Sequence, residues 1–404
     1  MRLRCSECQH ELELHTRAIE CPRCRELLEL VPEVVQDPAS LKQLWQQRRA
    51  SSDPRDQSGV WRFREFLPDY PAKSIVSLAE GNNPVVRAIE AATYAGLHNL
   101  WFKHLGWNPT GCFKDLGMTV GITEAKFVGV RAVACASTGN TSGSLAAYAA
   151  RAGVSARVYL PAGKVSANKL AQALDFGAEV VEVEGSFDAA LNTMLRASNN
   201  DVYFLNSINP FRIEGQKIAM FTLCEQFAWD PPDYVVVPGG NLGNTSAFGK
   251  AFAELKAAGL IARAPKLVVV QAQGANPFAR LWHSNAKELQ PVEHPETVAT
   301  AIRIGNPRSW KKALRAVKET GGFVMDVSDE EISNAKEVIG RDGIGCEPAS
   351  ATTLAGLHKL SAGESIDPDA RVVAVLTGHA LKDTDFIIKR HKSAKQELAP
   401  IEAN

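Results

Sequence analysis

The sequence predicts an α/β protein, with two doubly wound parallel-sheet domains preceded by a small cysteine-rich module. Short β-branched runs alternate with longer helical stretches from about residue 100 onward. Strands separated by helices imply parallel sheets covered on both faces. The runs are too numerous for one comfortable sheet, so they divide between two. Four of the eight cysteines crowd into the first 24 residues, apart from the rest.

In chain order, the strand candidates are 100–105, 132–136, 157–160, 180–183, 202–205, 234–237, 267–271, 323–327 and 372–376. Helical patterns fall at 144–151, 167–176, 188–197 and 246–258. Before these come an amphipathic helix candidate at 39–49, a polar stretch at 50–58 and an aromatic-rich segment at 61–66, read together as an arm packing on the body. The expected division is a module at 1–30, an arm at 31–80, a large domain from 81–116 and 211–388, a small domain at 117–210, and a polar, frayed tail at 389–404.

Hydrophobic residues make up 45% and charged residues 22%, and Lys+Arg balance Asp+Glu at 45 each, so no basic surplus draws the chain to nucleic acid or an anionic membrane. No apolar run is long enough to span a bilayer, and the start carries no secretory core, so a cytoplasmic enzyme is expected.

Cys5-x-x-Cys8 and Cys21-x-x-Cys24 are two knuckles separated by twelve residues, a spacing that lets four thiolates converge on one zinc ion. The competing reading is a ribbon that keeps no metal. Two pairs without strand-to-helix context argue against a redox motif. Five arginines in residues 1–30 are met by six glutamates, leaving no basic face for nucleic acid. The zinc-ribbon-like module reads as structural.

In KHLGWNPTGCFKDLG (103–117) a strand ends, a turn follows, and Lys114 opens a helix. A lysine there can form a Schiff base if its surroundings free the amine. Alone, the triplet would be an ordinary helix start. Three other segments sit at strand ends: Ser137-Thr138-Gly139-Asn140-Thr141-Ser142, Pro238-Gly239-Gly240-Asn241-Leu242-Gly243-Asn244, and Leu376-Thr377-Gly378-His379. The glycine loop, neither a Walker loop nor a dinucleotide fingerprint, lets backbone amides approach a phosphate. Ligands of open α/β sheets bind at strand ends, so these segments can converge on one cleft. A phosphate cradle, a lysine and a strand-end hydroxyl together describe a pyridoxal-phosphate (PLP) site.

The set NPTGCFKDLG, STGNTS, GGNLGN and LTGHALKD, with SLAEGNNP (77–84) and GCEPASA (345–351), resembles the threonine synthase branch of the tryptophan-synthase-β-like, fold type II family from about residue 78 to 384. The resemblance implies that PLP lies in the cleft between the two domains. Lys114 would be the Schiff-base lysine and Asn140 a contact of the ring hydroxyl. Gly240, Asn241, Leu242, Gly243 and Asn244 would hold the cofactor phosphate, and Thr377 would face the pyridine nitrogen. Cys112 stands where the family commonly has Ser, and Leu116 where Arg usually follows the Lys-Asp pair.

The segment NSINPFRIEGQK (206–217) places Ser207, Asn209 and Arg212 around a helix start, where an Arg fork and hydroxyls would bind a second phosphate. The competing reading is a surface Arg at a helix cap. The resemblance adds Ser137, Thr138 and Thr141 to the substrate-phosphate set and implies O-phosphohomoserine as substrate, with γ-elimination, then β-replacement by water, giving threonine and phosphate. The alternatives are a cysteate-synthase-like enzyme acting on O-phosphoserine and a serine/threonine dehydratase, which needs no substrate phosphate site. Relatives of this fold are commonly homodimers.

Overall fold

The computed structural model describes residues 1–33, 37–137, 139–162, 167–185, 190, 193–194 and 201–393. The cysteine-rich module is a three-stranded antiparallel sheet, β1 (Arg2–Cys5), β2 (Glu11–Leu12) and β3 (Leu28–Val31), in the order β2-β1-β3. The arm follows as α1 (Pro38–Arg49), α2 (Pro54–Gln57) and a 3-10 segment Trp61–Phe66. Asp37 caps α1 and Pro38 opens it, a pairing that suits a helix start. The arm is anchored by buried aromatics: Trp45, Phe63 and Phe66 pack on Phe221 of the body.

The body holds two sheets. The larger contains β4 (Val85–Arg87), β5 (Asn99–His104), β10 (Tyr234–Pro238), β11 (Lys266–Ala272), β12 (Phe323–Val327) and β13 (Arg371–Leu376), in the order β12-β11-β10-β13-β5-β4. The smaller contains β6 (Ala132–Ala136), β7 (Ser155–Pro161), β8 (Glu179–Val183) and β9 (Val202–Phe204), in the order β8-β7-β6-β9. Pairing is parallel throughout both, except that β4 runs antiparallel to β5. That edge strand escaped the sequence reading because it is three residues long and half exposed. Central strands such as β10 and β13 are apolar on both faces, as burial between helical layers requires.

The helices are α3 (Glu90–Ala95), α4 (Lys114–Phe127), α5 (Asn140–Ala152), α6 (Ala167–Asp175), α7 (Pro210–Gln226), α8 (Gly243–Ala257), α9 (Pro277–Ser284), α10 (Trp310–Glu319), α11 (Asp329–Arg341), α12 (Pro348–Ala362) and α13 (Thr384–Ser393). Most of the helix expected at 188–197 and the tail beyond 393 lie outside the described residues; residues 389–393 continue α13. α4 and α7 cross at backbone contact: a Cβ on Gly215 would lie 1.8 Å from the Leu116 carbonyl oxygen, so this crossing requires glycine. Lys114 and Arg212 stand near the starts of these two helices, so the crossing sets their separation.

Candidate active site

Lys114 is the first residue of α4 and half-buried. Its ammonium lies 4.1 Å from the Phe113 ring centroid and makes no hydrogen bond among the described residues. Burial, with the nearby Arg212 charge, lowers its pKa from 10.5 to about 8. Behind it, buried Asp115 accepts from the Thr110 amide (2.7 Å), the Thr110 hydroxyl (2.6 Å) and Ser144 Oγ (2.6 Å), which pins the turn leading into the lysine. Burial raises the Asp115 carboxyl to about 6. Cys112 is buried, and burial pushes its thiol up to about 11, so it is a neutral wall of the site.

The β13 end threads between two other segments. The Phe113 amide donates to the Thr377 carbonyl, the His379 amide to the Gly111 carbonyl, and the Glu347 amide to the Gly378 carbonyl. Thr377 Oγ1 donates to Glu347 Oε1 (3.1 Å) and lies 3.1 Å from Ser350 Oγ, which accepts from the Thr377 amide. Asn140 Nδ2 donates to Glu347 Oε2 (2.9 Å). One carboxylate therefore joins Asn140 and Thr377, which follow strands of different sheets. Burial raises the Glu347 pKa. A Cβ at Gly378 would fall 2.5 Å from Glu347 Oε1, so a larger residue there would displace that carboxylate from Asn140 and Thr377. His379 is a local brace, its Nδ1 accepting from the Leu381 amide.

The glycine loop closes β10 onto α8. Leu242 caps α8 at φ +63°, an uncommon backbone state for a non-glycine residue, and no side chain caps the helix. The amides of Gly243 and Asn244 lie in the first turn, where helical partners are missing. Gly239 and Gly240 keep the loop bare: added Cβ atoms would meet Val269 at 2.7 Å and Ile302 at 3.1 Å. The Asn244 side chain staples the loop itself, donating to the Pro238 carbonyl and accepting from the Thr245 amide. Asn241 Nδ2 donates to Ser207 Oγ (2.6 Å), bringing the glycine loop to the start of the 207–212 segment.

Asn209 caps α7, accepting from the Phe211 and Arg212 amides and donating to the Phe204 carbonyl, so its side chain is spent on the cap. Arg212 is fully buried rather than a surface cap residue. Its Nη1 donates to the Leu205 carbonyl (2.9 Å), but Nε and Nη2 have no partner. Burial lowers this guanidinium to about 10. A buried guanidinium with two open donors is expensive unless an anion completes it. Ser137 Oγ accepts from the Gly139 amide (3.3 Å), Thr141 is half-buried in the first turn of α5, and Thr138 lies outside the described residues.

Sequence reasoning named the lysine, the loop and the arginine as candidates but gave no role to Glu347, Ser350 or Asp115. Glu347 stood inside a quoted motif, yet its partners lie far off in the chain.

Cys5, Cys8, Cys21 and Cys24 meet at the tip of the N-terminal sheet, with their sulfurs all within 4.8 Å of one another. Gln9 and Arg25, each following the second cysteine of a knuckle, have φ +58° and +63°, so the knuckles turn alike. Burial works to raise the Cys21 thiol, but amide donors from Cys24 and Arg23 outweigh it and bring it down to about 7. The donor set fits a tetrahedral thiolate metal.

A half-buried low-pKa lysine at a helix start, a bare glycine loop opening another helix and a buried polar wall between two parallel sheets define a site for an aldehyde-bearing phosphate cofactor, and the residues fit PLP. The family model described as "Pyridoxal-phosphate dependent enzyme" matches residues 76–378. The threonine synthase of Methanocaldococcus jannaschii is 49% identical over 348 residues, covering 86% of this chain and 85% of the relative. That of Methanosarcina acetivorans is 47% identical, covering 81% of each. The Escherichia coli threonine synthase structure aligns with TM-score 0.73 at 17% identity, covering 99% of this chain and 93% of that one, a likeness of fold. The chain belongs to the PLP-dependent enzyme family and, within it, to the threonine synthases. No helix among the described residues is long and apolar enough to cross a membrane.

Proposed function

We propose that this chain converts O-phosphohomoserine and water into L-threonine and phosphate, with PLP as cofactor. The observation that carries the substrate reading is Arg212, a buried guanidinium with two open donors close enough to Lys114 to affect its amine. A dehydratase would have no use for a second anion site.

PLP when bound supplies an electron sink for negative charge at the carbons beside the substrate amine. In this reading the amides of 240–244 and the α8 start would hold its phosphate, Asn140 would contact its ring hydroxyl and Thr377 would partner its ring nitrogen. A hydroxyl there carries no fixed charge, so it does not hold a proton on that nitrogen as a carboxylate would. Lys114, whose pKa burial lowers to about 8, has far more neutral amine near neutral pH than an ordinary lysine and would take the proton from Cα. Arg212, Ser207, Ser137 and Thr141 at the α5 start, with Thr138 as a further candidate from the sequence, hold the substrate phosphate, and the guanidinium offsets the charge that grows as phosphate leaves Cγ. Asn209 contributes by fixing the start of α7.

We further assign one zinc ion to Cys5, Cys8, Cys21 and Cys24, supported by their convergent sulfurs. The domain division at 81–116 with 211–388, and 117–210, is supported by the separate six- and four-stranded sheets.

The test is to purify the protein with PLP and assay phosphate release from O-phosphohomoserine and O-phosphoserine in parallel. Equal yields of phosphate and threonine from the first substrate, lost together with the visible cofactor band in Lys114→Ala, are expected. Turnover of O-phosphoserine alone would refute the substrate assignment, and absence of a cofactor band would refute the cofactor assignment.

A further inference from the structure

The strap between α9 and α10 carries no recognisable motif, yet it joins the cysteine module to the glycine loop. Arg308 Nη2 donates to Glu20 Oε1 (2.7 Å), the residue before Cys21. The main-chain amide of Arg308 donates to Asn241 Oδ1 (2.8 Å), and Asn241 Nδ2 donates to Ser207 Oγ (2.6 Å). The strap touches the loop once more, where Ile302 abuts Gly240, and touches the helix the loop opens, where the Ser309 carbonyl accepts from Ser246 Oγ (3.4 Å). The module is itself seated on the following helix, with Glu26 on Lys311, Glu29 on Arg315 and the Leu28 carbonyl on buried Lys312.

We propose that Arg308 is a positioning residue. By holding Glu20 with its side chain and Asn241 with its backbone, it lets the cysteine module set the glycine loop and Ser207 for the two phosphates. The inference rests on the two-phosphate reading above. Arg308 is 54% exposed, so its ion pair is weak as a stabilising contact. What it does is add a second tether, from Glu20 on the cysteine module, to the segment whose 308 amide already donates to Asn241 Oδ1. An exposed pair of this kind limits the effect to about two- to fivefold.

The test uses the full-length, zinc-replete protein and the variants Arg308→Glu, Glu20→Arg and the double swap. PLP affinity is read by titrating cofactor-free protein and following its fluorescence, and the KM for O-phosphohomoserine is read beside kcat and the thermal midpoint. Each single reversal is expected to raise both the PLP dissociation constant and KM about two- to fivefold, with kcat and midpoint held. The double swap should return both to within about twofold of the wild type. Wild-type affinity and KM in Arg308→Glu, or a loss that the double swap does not repair, would overturn the proposal. A wild type that neither binds PLP nor releases phosphate would show instead that the two-phosphate reading had failed, and the proposal with it.

Discussion

Replacing Gly215 by alanine perturbs the frame on which the site is built. The added methyl would lie 1.8 Å from the Leu116 carbonyl oxygen, 2.8 Å from its carbonyl carbon and 3.0 Å from the Gly117 Cα, all main-chain atoms that cannot rotate aside. Restoring ordinary contact requires α4 and α7 to part by about 1.5 Å or to tilt. Overpacking of this kind costs about 1–3 kcal/mol, and backbone opposing backbone belongs at the upper end. Lys114 and Arg212 ride at the two helix starts, and a misplacement of about 1 Å costs roughly 100-fold in rate. Gly215→Ala should therefore lose about 100-fold in kcat/KM for phosphate release, with a lowered thermal midpoint. The matched control is Gly340→Ala in α11, where nothing lies within 4 Å of the new Cβ; it should keep full activity and gain about 0.5–1 kcal/mol. A Gly215→Ala protein with wild-type kcat/KM and midpoint would refute the claim that this crossing fixes the lysine–arginine geometry.

Other outcomes follow from the same site. Arg212→Met should abolish measurable use of the phosphorylated substrate while holding or raising the thermal midpoint, since two buried donors without acceptors are removed; calorimetry beside the phosphate assay checks both signs. Capture of PLP by cofactor-free protein requires the neutral Lys114 amine, so its rate should climb about tenfold per pH unit up to about 8 and level off above. A rate still climbing at pH 10 would mean an unperturbed lysine. Chelator treatment or Cys8→Ser should release one zinc per chain and expose residues 1–31 to protease, while the cofactor band survives at saturating PLP; metal analysis and limited digestion test this.

Much of the architecture was legible locally. The apolar runs at 132–136, 234–237 and 372–376 became central parallel strands because a segment apolar on both faces has few other places to go. Lys114 and the bare loop at 239–243 were legible too, because a helix start and a glycine turn are written within a few adjacent residues.

The sequence alone thus determined the α/β class and most of the parallel strands, and it marked the lysine, the loop and the four cysteines as candidates. It did not determine which polar side chains stay available. Asn209 and Asn244 are spent on local caps, whereas Arg212 keeps two open donors in the core. Glu347, which ties Asn140 to Thr377, and Arg308, which ties the cysteine module to Asn241, acquire their roles from partners on other elements. Strand and turn preferences depend on neighbours in the chain and can be read from it. Burial and hydrogen-bond pairing depend on which distant segments the fold packs together, so only the tertiary structure decided them.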